Sequence, residues 1–467
     1  DLEPAIDVQK LSDAITSTVS AHSYLLTRVY LNDRGEMVQK PYNETFVPEV
    51  IRTTNEQFEE LKAQLVRPFK LEKGCLLRAA IYITEDRKYL FTDFHHILAD
   101  GNSYDIIFED INRAYMGEKL KKESYTGFDA ALDEEQQMKE GKYKKAEKYY
   151  DSIFEGVETE SLPLPDRNDE IPERGYLSKE MDTRESVVLS ACEKLGVTPN
   201  ILFTGLFGVL MTRYSNSEDS LFATIYNGRN DSRLENTVCM LVKTLPVYCA
   251  CDPKATIQTY MAELSEQLLS SMANDIFPFS DICAKYGFSS DLVFAYQAEL
   301  SDDYPIGDTI ARGHDLSPDM SKMPLLIQVR EYDHKYVLTA EYRSDKYSEE
   351  FVKGILDAYE AAMDSMLKAK YISEISILSG NAADKIAEFN HTAHEYDRSQ
   401  TISDMFDEMV EIIPDHTAVV FKDRKYTYKE LDEISDRLGK YIVSQGIGTE
   451  DVVSILIPRC EYMAIAP

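Results

Sequence analysis

The sequence predicts a mixed α/β protein of two lobes followed by a shorter third segment. Three observations carry this. Helical and strand-like apolar periods alternate over residues 6–153, a proline-rich stretch without apolar period follows at 161–172, and a second alternating run of similar extent comes after it. At 467 residues the chain also exceeds what one hydrophobic core normally encloses.

Ile6, Val8, Leu11, Ala14, Ile15 and Val19 recur at helical spacing and predict a helix over 6–20. An extended stretch at 25–31 turns back through Asn32-Asp33-Arg34-Gly35. Residues 56–66 read as a second helix, and 76–84 and 88–96 as strands paired around Glu85-Asp86-Arg87. Helices are expected next at 103–116 and, rich in charge, at 133–153. Beyond Ser161-Leu162-Pro163-Leu164-Pro165 and Ile171-Pro172, helices are predicted at 185–195 and 199–214, the second opened by Thr198 as N-cap before Pro199. Strands follow at 220–226, 241–251, 291–296, 325–331 and 335–342, then a helix at 349–367. The texture changes near 381, so the expected divisions are 1–165, 166–380 and 381–467.

Hydrophobic content of 43% and charged content of 28% are those of a soluble globular chain. Fifty basic against 82 acidic side chains leave a net charge of −32, which repels nucleic acid and anionic membranes, so neither is an expected partner. No run approaches the roughly 18 to 20 apolar residues of a membrane span, and Asp1-Leu2-Glu3-Pro4 lacks a signal peptide's basic and apolar parts. A cytoplasmic location is the expectation. Seven scattered cysteines spell neither a disulfide framework nor a metal pattern; all are expected reduced, with no metal or cofactor bound.

The most informative segment is His95-His96-Ile97-Leu98-Ala99-Asp100-Gly101. It places two imidazoles at the end of an apolar run, then an Asp-Gly turn, then a helix. An imidazole exposed in a cleft can act as base or hydrogen-bond donor near neutral pH, and glycine lets a substrate come close. In a strand neighbouring side chains face opposite ways, so His95 and His96 cannot both point into one cleft and only one is expected to be chemical.

This His-His-x-x-x-Asp-Gly spelling resembles the signature of nonribosomal peptide synthetase condensation domains, shared across the chloramphenicol-acetyltransferase-like superfamily. Further stretches resemble that family in the same order. Ala21-His22-Ser23-Tyr24-Leu25-Leu26-Thr27 is similar to its Arg-His-Glu-x-Leu-Arg-Thr, keeping His22, Leu25 and Thr27. Val238 to Thr244 resembles Gly-x-Phe-Val-Asn-Thr, with Lys243 in place of Asn. Asn274 to Phe279 resembles the Gln-Asp-x-Pro-Phe stretch, and Asp319 to Leu325 resembles Asp-x-Ser-Arg-Asn-Pro-Leu. From 381 onward, Ala418 to Phe421 and Tyr426-Thr427-Tyr428-Lys429-Glu430-Leu431 resemble the opening of an adenylation domain. The glycine-rich phosphate loop of that family is not spelled here, so no ATP binding is expected, and the chain reads as trimmed at both ends.

The resemblance implies two chloramphenicol-acetyltransferase-like lobes set as a V around a central tunnel, plus a partial α/β adenylation segment. It implies an acyltransferase forming an amide between an acyl or peptidyl thioester and an aminoacyl amine, each carried on the phosphopantetheine of a partner carrier domain. His96 takes the chemical role, as base or as positioning group, and Gly101 supplies close approach and an N–H toward the oxyanion, or is a plain turn glycine. His95 packs, while Asp100 holds the His96 loop with Arg229 as its cation. Ser321 is a candidate tunnel contact, with a loop serine of no role as its alternative. The expected partners are donor and acceptor carriers and the remainder of the adenylation domain. Lys142, Lys144, Lys145 and Lys148 are either a landing patch for an acidic carrier or a solvated helix face. Three alternatives stand beside this: a starter-type domain acylating the first amino acid, an epimerisation domain (disfavoured by the adenylation start), and an idle carrier-binding scaffold. No nucleophile-elbow spelling is present, which argues for direct transfer.

Overall fold

Side-chain caps and apolar spacing agree along the first third of the chain. Asp7 caps α1 (Val8–Ala21) through the Lys10 N–H, and a 3-10 turn at Ser23–Leu26 leads into the hairpin of β1 (Thr27–Leu31) and β2 (Met37–Pro41). β3 (Glu49–Arg52), α2 (Asn55–Leu65), β4 (Leu77–Ile83) and β5 (Lys88–Phe94) come next, with β3 parallel and β5 antiparallel to β4. Then follow α3 (Gly101–Tyr115), α4 (Gly127–Lys139) and α5 (Lys142–Phe154). The computed structural model describes residues 1–467 apart from 43, 73, 159–160, 290, 298–302, 315, 317–320, 322 and 467.

Two expectations are corrected here. The single charged helix over 133–153 is two helices, because Gly141 sits at φ 85° in the left-handed region and breaks the helical run. The strand expected to reach His96 stops at Phe94: the His95 N–H still pairs with Leu76 O, but Leu98 N–H then closes a turn onto His95 O. Strand alternation therefore does not decide which imidazole is exposed.

The second run comprises β6 (Arg174–Glu180), α6 (Glu185–Leu195), α7 (Pro199–Ser215), β7 (Asp219–Tyr226), β8 (Lys243–Ala250), α8 (Ile257–Ala273), α9 (Phe279–Tyr286), β9 (Leu292–Gln297), β10 (Asp303–Ile306), β11 (Thr309–Arg312), β12 (Leu325–Tyr332), β13 (Lys335–Arg343) and α10 (Glu349–Met366). Six of its strands form one sheet in the order β6-β13-β12-β9-β7-β8, with β9 parallel to both its neighbours. Helix α7 is buried from Ile201 to Thr212 and centres the largest core, where Phe207 stacks on Phe294. No single helix among the described residues is long and apolar enough to cross a membrane.

A second core gathers α1, β4, the turn at Leu98-Ala99 and α3. It is completed by distant sequence, since Val238, Cys239 and Ile306 are buried in it. The hairpin β10–β11 lies against α3, with Tyr304 stacked on Phe108 at 4.3 Å and Gly307 N–H donating to Asn112 Oδ1. Residues Asp1–Ala383 accordingly form one compact unit.

Asp384–Pro467 form a separate unit. After α11 (Gly380–Phe389), it holds α12 (Ile402–Ile412), the hairpin of β14 (Thr417–Phe421) and β15 (Arg424–Thr427), α13 (Tyr428–Ser444) and α14 (Tyr462–Ile465). Thr427 and Glu430 form a capping box at the start of α13.

Candidate active site

Leu98 and Ala99 are buried in the second core, which pins the turn between β5 and α3 and leaves His96 exposed on it. His96 Nδ1 lies 3.0 Å from Ala99 O. A carbonyl can only accept, so Nδ1 carries a proton, and in the neutral form of the ring the lone pair is the one at Nε2. Nε2 has no hydrogen-bond partner among the described residues. His95 is half-buried; its Nδ1 accepts the Ile97 N–H at 3.1 Å and its ring meets the edge of Phe69.

Asp100 is the N-cap of α3 and is 1% exposed. Its Oδ1 accepts the Ser103 N–H at 2.9 Å and Arg229 Nη2 at 3.1 Å; its Oδ2 accepts Arg229 Nη1 at 2.8 Å and the Leu241 N–H at 2.9 Å. Ser103 Oγ sits 2.8 Å from Oδ1 and 2.9 Å from Cys239 O, sharing one proton between them. Burial pushes the Asp100 carboxyl up, but the Arg229 bonds, the Leu241 N–H and Ser103 outweigh it and hold the group below its ordinary value. With its lone pairs occupied, this carboxylate has no free acceptor for a substrate proton.

Gly101 opens α3, and a Cβ built there meets nothing within 4 Å. Neither packing nor a left-handed φ requires glycine here, and the space a side chain would take at the first residue of the helix is open. Gly228 differs: at φ +68° a Cβ would stand 2.0 Å from Leu241 O, so glycine alone lets the Arg229 turn close against the segment that binds Asp100.

The structure thus brings Asp100 and Arg229 together and shows no contact of Ser321 with His96 or Gly101 among the described residues. Ser321 is buried and donates to Met323 O within its own turn, while Asp319, Met320 and Lys322 of that stretch lie outside the described residues. Sequence reading missed Ser103, although Asp100 before a helix announces a cap that takes the N–H three residues on, and the Leu241 N–H, a backbone contact that no residue type betrays. Lys243, the departure from Asn, reaches Asp275 O at 3.3 Å and stands 3.7 Å from Glu134 of α4. The four α5 lysines are exposed, and the opposite face of that helix is buried against Ile276, Phe277 and Ile282.

A family model described as "Condensation domain" matches residues 1–387. The chain belongs to the condensation-domain family. A second model, "AMP-binding enzyme", matches residues 406–466, so this condensation domain is followed by the start of an AMP-binding domain. Similar curated proteins include surfactin synthase subunit 1 of Bacillus subtilis (strain 168), 26% identical over 486 residues, and tyrocidine synthase 2 of Brevibacillus parabrevis, 25% identical over 487. All of this chain aligns in both, yet it spans only 13% and 14% of their lengths. The fold is similar to the first condensation domain of the calcium-dependent antibiotic synthetase in complex with a substrate analogue (TM-score 0.63, 16% identity, 80% of this chain and 91% of that one). It is also similar to the X-domain of teicoplanin biosynthesis in complex with OxyB (0.68, 18%, 80% and 88%). A four-domain nonribosomal peptide synthetase bound to AMP and glycine aligns with 99% of this chain and 38% of its own (0.69, 17%).

Proposed function

We propose that this condensation domain is a catalytic acyltransferase of a nonribosomal peptide synthetase. The amine of an aminoacyl group on one phosphopantetheine arm attacks the thioester carbon of an acyl or peptidyl group on another. A C–N bond forms, the C–S bond breaks, and the departing donor thiolate takes up the proton that the amine gives up. The substrates ride on donor and acceptor carrier domains, and the remainder of the AMP-binding domain supplies the acceptor amino acid. Lobes 1–165 and 166–380 are taken to form the V and tunnel through which the two arms meet.

One observation carries this reading: exposed His96 has its Nδ1 turned onto Ala99 O, which leaves Nε2 unpartnered on a turn anchored by buried Leu98 and Ala99, and the helix that follows opens with uncrowded Gly101. Nε2 can accept the amine proton or, once protonated, hydrogen-bond the tetrahedral oxyanion; such help is worth roughly 10²–10⁴-fold. Gly101 contributes room for the arm and its own N–H. Asp100 and Arg229 hold the loop, His95 packs beneath it, and Ser321 serves its own turn in preference to the tunnel.

The altered stretches at Ala21, Ser23, Leu26 and Lys243 favour a second reading, an idle carrier-binding scaffold. The two separate by intact-mass analysis of an acceptor carrier after mixing the chain with acceptor and with donor carriers bearing fatty, aryl, L- or D-aminoacyl groups. The proposal expects the acceptor to gain one donor acyl mass, a fatty or aryl donor identifying the starter type. Carrier binding with no gain for any donor would establish the scaffold.

A further inference from the structure

His22 is 4% exposed, and no step described so far uses it. Each of its ring nitrogens faces a carboxylate: Nε2 is 2.9 Å from Asp110 Oδ2 of α3, and Nδ1 is 2.9 Å from Glu123 Oε1, the latter off the line of a hydrogen bond. A neutral ring would turn a lone pair on one of these oxygens, so the geometry requires the imidazolium. The two carboxylates are the charged groups that face it; behind them, Arg113 pairs with Asp110 and Glu118, and the uncharged Cys239 thiol lies within electrostatic reach of Glu123.

Glu123 Oε1 also accepts the Val238 N–H at 2.6 Å. The same short segment gives Asp100 its Leu241 N–H and places Cys239 O on Ser103 Oγ. A continuous set of contacts therefore runs from the buried cation through Glu123 and residues 238–241 to the cap of α3, next to His96.

We propose that His22 is a positioning residue of the His96 site: as a buried imidazolium it fixes Glu123, and through it the Val238–Leu241 segment that locks Asp100. The inference rests on the proposed condensation activity for its kinetic consequence alone. Burial lowers the His22 pKa, but Asp110 and Glu123 outweigh it and raise the group to about 9, so the cation persists through the neutral range.

The test compares the full chain with His22→Gln and with His22→Gln/Glu123→Gln, in which the introduced amide oxygen can still accept the Val238 N–H without a cation beside it. The single variant is expected to lower kcat about tenfold with KM for both carriers unchanged. Its amides at 238–241 should exchange faster, and the double variant should recover most of both losses. In the wild type, exchange at 238–241, corrected for the intrinsic rate, should rise between pH 8 and 10. Should the single variant not fold, the double variant and the wild-type pH series carry the test. Unchanged exchange at 238–241 in His22→Gln and across the pH series overturns the proposal, as does a double variant no better than the single one. A wild type that makes no amide, while the exchange results hold, refutes the condensation reading and leaves the positioning role standing.

Discussion

Arg229→Ala removes the cation from a carboxylate that cannot reach water. Both side chains are buried, 5% exposed for Arg229 and 0% for Asp100, and the substitution deletes two bonds to Asp100 and one each to Thr237 O, Ser103 Oγ and Asn227 O. Orphaning one partner of a buried pair costs about 3–5 kcal/mol. The Ser103 and Leu241 donors remain on Asp100, so the expectation is the lower end, about 3 kcal/mol at pH 7. The sign with pH follows from the titration. In the wild type Asp100 is held below its ordinary value, so its contribution is present above the unfolded carboxylate pKa and fades only as pH falls through the lower folded value. In the variant, burial without the cation raises Asp100, so the carboxyl takes up a proton at higher pH and the deficit shrinks from pH 7 to pH 5. Urea unfolding followed by far-UV circular dichroism and tyrosine fluorescence measures this; the chain has 30 Tyr and no Trp. A cycle with Asp100→Asn should show coupling above about 2 kcal/mol. A deficit under about 1 kcal/mol, or an equal deficit at pH 7 and pH 5, would refute the reasoning.

Gly101→Ala should fold with near wild-type stability, because its Cβ meets nothing, while Gly101→Val should slow product formation by filling the approach to His96; melting temperatures and single-turnover rates check both. Gly228→Ala places a Cβ on Leu241 O at a left-handed φ and should cost about 2 kcal/mol or more, read as a lower urea midpoint. Reversing Lys144, Lys145 and Lys148 to Glu should weaken the apparent affinity for an acidic carrier several-fold at low salt, since Glu147 and Asp151 of that helix are already paired with Lys285; unchanged affinity assigns the lysines to a solvated face.

Elements with strong local signals were legible. The spans 185–195, 199–214 and 335–342 agree with α6, α7 and β13 to within one residue, because Thr198-Pro199 marks a helix start and apolar spacing marks the rest. β6, α8, α9 and the hairpin β10–β11 were not anticipated; β6 is an exposed edge strand and β10 is four residues long, too short for a clear period. The strand end at His95-His96 was misplaced because the turn is made by backbone bonds and by burial of Leu98 and Ala99, which the spelling shares with a continuing strand. At the site, the motif named His96, Asp100 and Gly101, and the family resemblance added Arg229 as the cation for Asp100. The resemblance marked 238–244, but not what 238–241 does there, since its contribution to Asp100 and Ser103 is two backbone groups brought from far along the chain.

The most direct test of the central claim is the single-turnover rate of amide formation between loaded carriers, for wild type and His96→Ala at saturating carrier. The account predicts a fall of about 10²–10⁴-fold with carrier affinity and melting temperature unchanged. An unchanged rate would show that the exposed Nε2 takes no part in the transfer and would remove His96 from the reaction.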